Sequence, residues 1–143
     1  MNTEQVIKNT EQVTDQNKKR KKFDLEGRLI DFAITIIQIK ESMSDTRAGN
    51  HIAGQMLRSG THPALQYGEA QSAESRNDFI HKLKVLLKEL RETSNSLKIT
   101  RRVPLTKKID VVDVALLECN ELIAIFVKSI ETARKNRENE REN

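Results

Sequence analysis

The sequence predicts an all-α protein, an antiparallel up-down four-helix bundle with short connections. Three observations carry that prediction. Apolar residues recur at spacings of three and four through long segments of the chain, which is the period of one helix face. Charged residues make up 32% of the 143 residues and hydrophobic ones 36%, the balance reached when each helix turns one polar face to water. Aromatic residues are only 3% and Trp is absent. The evenly spaced turn signals of a β-sandwich are missing too.

The same composition limits the function. Cys119 is the single cysteine, so no internal disulfide framework is expected. The polar start, MNTEQVIKNTEQVTD, lacks the apolar core of a signal peptide. No apolar run approaches the roughly 20 residues that span a bilayer. The expectation is therefore a cytoplasmic protein with no membrane partner. Net charge is +4, and residues 1–22 hold most of the excess: six cations (Lys8, Lys18, Lys19, Arg20, Lys21, Lys22) face three acids (Glu4, Glu11, Asp15).

Residues 1–22 read as a disordered basic arm. NTEQV occurs at 2–6 and again at 9–13. With only Val6, Ile7 and Val13 apolar, the two copies fall short of the three or four heptads of a coiled coil. The bundle is expected over 23–135, with a charged, fraying tail at 136–143.

The first helix is predicted over 24–43, capped by Asp24. Leu25, Leu29, Phe32, Ile36, Ile39 and Met43 form its inward seam. Ile30, Ala33 and Ile37 add a second stripe, which suggests a second partner surface. Another helix is expected over 45–71 with Asp45 as its cap. Charged residues are sparse within it (Arg47, Arg58 and Glu69), so most of its sides should be covered. Gly60, Ala64 and Gly68 share one face and permit close backbone approach. Glycine and proline cost roughly 1 and 3 kcal/mol inside a helix, so packing must offset Gly60, Pro63 and Gly68. The alternative is a loop from Ser59 to Ala73.

The third helix is expected over 75–99. Ser75 and Asp78 resemble a capping box at its start. Phe79, Leu83, Leu86, Leu90 and Leu97 mark its inner face, with Ile80 and Leu87 alongside. Arg76, Lys82, Lys84, Lys88, Arg91 and Lys98 outnumber Asp78, Glu89 and Glu92 on its outer one. Pro104 ends the next connection. The fourth helix is expected over 108–134, with Ile109, Val112, Leu116, Cys119, Ile123, Phe126, Ile130 and Ala133 inward, and Leu122 and Ile125 flanking.

The stretch GQMLRSGTHPALQYGEAQSAESRNDFIHKLKVLLKELRET resembles the signature of the bacterial four-helix bundle proteins called 23S ribosomal RNA intervening-sequence proteins. Gln55, Arg58, Ser59, Gly60, Gly68, Glu69, Phe79, Leu83, Leu90 and Glu92 fit it. Gln66 stands where the family has Asn, and Pro63 falls one residue early. The resemblance spans roughly Phe23 to Phe126. It implies a bundle assembling as a ring-like homo-oligomer, often a pentamer, with no established activity. Genes of the family can lie inside ribosomal RNA intervening sequences. A related branch, the accessory variability determinants of diversity-generating retroelements, is strongly basic and works with a reverse transcriptase and nucleic acid.

No catalytic constellation emerges, and no cofactor or metal is expected. His51 and His62 would lie about 16 Å apart along one helix, too far for one metal with ligands about 2 Å away. Cys119 falls on the buried seam and reads as a core thiol. Asp110, Asp113, Glu118 and Glu121 read as a solvated face, and no phosphate loop occurs. The candidate nucleic-acid contacts are Lys18, Lys19, Arg20, Lys21 and Lys22 in the arm, with Arg101, Arg102, Lys107 and Lys108 at one end of the bundle. The candidate subunit interface is Ile30, Ala33, Ile37, Gly60, Pro63, Ala64, Tyr67 and Gly68, with His62 beside Pro63. The expected function is a non-enzymatic, homo-oligomeric assembly or adaptor module. The alternative is a nucleic-acid-binding accessory protein that contacts phosphates and partners a reverse transcriptase.

Overall fold

The computed structural model describes residues 24–142; Phe23 and the expected basic arm fall outside them. Four helices follow in order: α1 (Leu25–Glu41), α2 (Arg47–Gln71), α3 (Arg76–Arg102) and α4 (Ile109–Glu142). Their connections, 42–46, 72–75 and 103–108, are short, so consecutive helices run antiparallel. Backbones pack α1 on α2, α2 on α3, α3 on α4 and, more sparsely, α1 on α4, while the diagonal pairs stay apart. This is the all-α four-helix bundle that the periodicity predicts. Among the described residues no helix is long and apolar enough to cross a membrane.

The helix starts follow capping chemistry. Asp24 Oδ1 accepts the Gly27 amide at 2.9 Å, and Ser75 Oγ accepts the Asp78 amide at 3.0 Å. At α2 the cap is Thr46, not Asp45: Thr46 Oγ1 accepts the Gly49 amide at 3.0 Å, whereas Asp45 binds the Asn50 side chain. Two ends also move. Helix α3 continues to Arg102, and α4 runs to Glu142, well past the expected Arg134. The reason at the α4 end is cross-helix bonding: Arg76 pairs with Glu140 at 2.8 Å and Arg137 donates to Asn77 Oδ1 at 3.1 Å.

The glycine- and proline-containing segment is helical, with Pro63 inside α2, so the loop alternative is overturned. The fully buried core is built from Phe32, Ile36 and Ile39 of α1, Met56 of α2, Leu83, Leu90 and Leu97 of α3, and Val112, Cys119, Leu122 and Phe126 of α4. In α4 the inward phase differs from the expectation. Ala115 and Leu122 are buried, while Leu116 and Ile123 are partly so. The seam between α2 and α3 also buries hydroxyls, with Thr93 donating to Ser59 Oγ at 2.8 Å.

At one end of the bundle the two connections bond to each other. The Ser44 amide donates to the Leu105 carbonyl at 2.8 Å, Met43 and Thr106 form a β-bridge, and the Ser42 and Thr106 hydroxyls lie 2.8 Å apart. The α3–α4 turn, with its cis Val103–Pro104 bond, is thereby held against the α1–α2 turn.

Candidate functional site

Three groups of polar or exposed side chains stand out. The first is the basic end. Arg101 and Arg102 occupy the last turn of α3, where cations complement the helix dipole. Lys107 and Lys108 directly precede α4, and all four are exposed. They are not equivalent. Arg101 Nε binds Asp113 Oδ1 at 2.6 Å, and that hydrogen bond raises its pKa. Arg102, Lys107 and Lys108 make no ion pair among the described residues. The usable cluster therefore has three cations. Lys18, Lys19, Arg20, Lys21 and Lys22 lie outside the described residues.

The second group joins α2 to α3. Arg58 Nη2 binds Glu92 Oε1 at 2.6 Å, Arg58 Nη1 lies 3.4 Å from Glu89 Oε2, and Gln55 accepts from Arg58 at 3.4 Å. His62 Nδ1 sits 3.6 Å from the other Glu89 oxygen. Glu92 lies 34 residues beyond Arg58, yet Gln55, Arg58 and Glu92 all belong to the quoted signature. Their meeting sets the register of α2 on α3. His62 thus lies beside Glu89 of its own chain, with its side chain 36% exposed.

The third group is the expected subunit interface, and the structure divides it. Ile30 and Ile37 are 46% and 43% exposed, and Ile34, absent from the expectation, is 48% exposed. The three are spaced four and three apart, one face of α1. That spacing is the signal that would have found Ile34. Ala33, Gly60 and Pro63 are instead buried within the chain. A Cβ on Gly60 would fall 2.8 Å from Ile36 Cγ1, so the close approach joins α1 and α2 of one molecule. Ala64 and Tyr67 are partly buried against the core; the Tyr67 ring meets Phe126 edge-on at 6.2 Å, and burial pushes its hydroxyl pKa up. Gly68 faces open space.

Glu118 and Glu121 of α4 are engaged as well. Arg28 of α1 binds Glu118 and also Glu121, the latter at 2.7 Å, and the hydrogen bond to Glu118 raises the Arg28 pKa most. Cys119 is buried and its thiol is pushed up to about 12, so it is not a nucleophile near neutral pH. Among the described residues no group of three or more His, Cys, Asp or Glu side chains could hold a metal.

These features define an all-α four-helix bundle with a charged end, a pinned α2–α3 seam and an aliphatic stripe on α1 that is exposed among the described residues. The chain is similar to a solved protein of unknown function from the S23 ribosomal protein family of Bacteroides thetaiotaomicron, with 27% sequence identity and a TM-score of 0.66. The match covers 74% of this chain and 97% of that one. No family model and no curated protein matches the chain.

Proposed function

We propose that the chain is a member of the S23, or 23S ribosomal RNA intervening-sequence, family and acts as a non-enzymatic assembly module. Copies associate through the outer face of α1 into a ring, which presents repeated charged surfaces to a partner. The observation that carries this reading is the row of Ile30, Ile34 and Ile37, each more than two-fifths exposed in the single chain. Branched aliphatic side chains in a row on one helix mark an interaction surface. The likeness to an S23 family structure supports the same reading, since the family resemblance implies a ring-like oligomer, often a pentamer.

Light scattering tests it. The full-length chain is expected to form one defined oligomer at micromolar concentration, and Ile34→Glu to yield folded monomer. A native chain that is monomeric throughout that range would overturn the proposal. A second reading, the nucleic-acid-binding accessory, is favoured by Arg102, Lys107 and Lys108, which make no ion pair among the described residues. It requires RNA or DNA binding that weakens steeply with salt and drops when residues 1–22 are removed. Salt-independent binding would exclude it.

A further inference from the structure

A groove of about 400 Å³ runs between α3 and α4. Its floor is apolar, with Leu87 and Ile130 buried and Val127 half-buried. On the α3 wall stand Lys84, Lys88 and Arg91, and on the α4 wall Glu131 and Arg134, all five exposed. The α3 cations are spaced four and three apart, so they line one helix face over about 10 Å of helical rise. Among the described residues none of the four groove cations makes an ion pair. Arg28, Arg58, Arg76, Lys82 and Arg101 all do. Like charges one turn apart are unfavourable on a helix, and here they border an apolar trough with a single acid to offset them.

We propose that this groove docks an acidic amphipathic helix of a partner protein. Each part of the groove matches a part of that ligand. Apolar side chains on one face of the incoming helix cover Leu87, Val127 and Ile130 and displace water from them. Carboxylates on the adjoining face, spaced by one turn, repeat the spacing of Lys84, Lys88 and Arg91, while Arg134 meets them from the opposite wall. A nucleic acid fits less well. Its phosphates would pair with the walls but leave the apolar floor unused, and the groove has no aromatic side chain for base stacking. The run KKRKK at 18–22 of the chain itself carries the same sign as these walls. The proposal does not depend on self-association, because α1 takes no part in the groove.

Fluorescence anisotropy on the full-length protein at physiological salt tests it. The probe is a labelled synthetic helix with Glu along one face and Leu along the next. Controls are the same helix with Lys in place of Glu, and a single-stranded oligoadenylate. The acidic helix is expected to bind at least about tenfold more tightly than either control. Lys88→Glu/Arg91→Glu should weaken it by about tenfold or more, and so should Arg134→Glu on the facing wall, with the circular dichroism spectrum unchanged. If the double variant fails to fold, Arg134→Glu alone decides. Equal binding of the Lys helix, tighter binding of the oligoadenylate, or affinity unmoved by the folded variants would overturn the proposal.

Discussion

A methyl group added at Gly60 and one added at Gly54 meet opposite surroundings on the same helix. At Gly60 the new Cβ falls 2.8 Å from Ile36 Cγ1 and 2.9 Å from Cγ2, whereas at Gly54 nothing lies within 4 Å. Gly60→Ala is expected to cost about 1–3 kcal/mol through overpacking. Gly54→Ala should gain roughly 0.5–1 kcal/mol, because alanine leaves less chain entropy to lose on folding. Urea midpoints at constant slope measure both. Cys119 gives a prediction of another kind. Its Sγ donates to the Leu90 carbonyl oxygen at 3.2 Å, and burial raises the thiol from 9.0 to about 12. Above pH 9 the unfolded chain loses this proton while the folded chain keeps it. Stability is therefore full below pH 9 and falls above it, by up to about 1.4 kcal/mol per pH unit until the folded thiol also ionises. Cys119→Ala should flatten the alkaline slope of the urea midpoint. At pH 8 the native thiol is expected to react with a thiol reagent only as fast as the chain opens.

At the scale of elements, the α2–α3 seam is the part that hydrophobic patterning reads least well. Ser59, Thr93, Ser96 and Thr100 are buried, although a polar/apolar pattern assigns hydroxyl residues to the surface. Ser59, Thr93 and Thr100 tolerate burial because they are small and hydrogen-bonded. Thr93 meets Ser59, and Thr100 donates to the Ser96 carbonyl at 2.8 Å. Thr93→Val strands the Ser59 hydroxyl and should cost about 1–3 kcal/mol, whereas adding Ser59→Ala should recover much of that loss. A double-mutant cycle with no coupling would mean that the pair is not made. The other elements were legible to different depths. The inward face of α1 follows from strict spacing, and α2 from the argument that packing must offset Pro63. In α4 two apolar stripes lie side by side, so period alone could not choose Leu122 over Ile123; the neighbouring helices choose. The stretch beyond Arg134 has no apolar face, and its helix rests on contacts to Arg76 and Asn77 that no local pattern contains. The groove was half visible. Lys84, Lys88 and Arg91 could be read as a basic face, but Val127 and Arg134 join them only once α4 is folded against α3.

For the whole molecule, the decisive feature is that the two proposed surfaces use different helices. The aliphatic row lies on α1, which packs on α2 and α4 but not on α3, while the groove lies between α3 and α4. Self-association and docking should therefore separate by mutation. If copies assemble through α1, each assembly displays as many grooves as it has copies. One acidic helix then binds every groove with the same intrinsic affinity, whether the chain is assembled or monomeric. Two such helices on one flexible linker behave differently, because the second docking event becomes intramolecular once the linker spans two grooves. Ile34→Glu is accordingly expected to leave single-helix affinity unchanged and to lower tandem-helix affinity by about a hundredfold, within the usual range of avidity gains. Lys88→Glu/Arg91→Glu should weaken both probes and leave the molar mass unchanged. Anisotropy and light scattering on the same samples read the two outcomes together. A loss of single-helix binding in Ile34→Glu would show that the surfaces are coupled. A tandem probe that gains nothing from the native assembly, at any linker length, would mean that the grooves do not face a common partner.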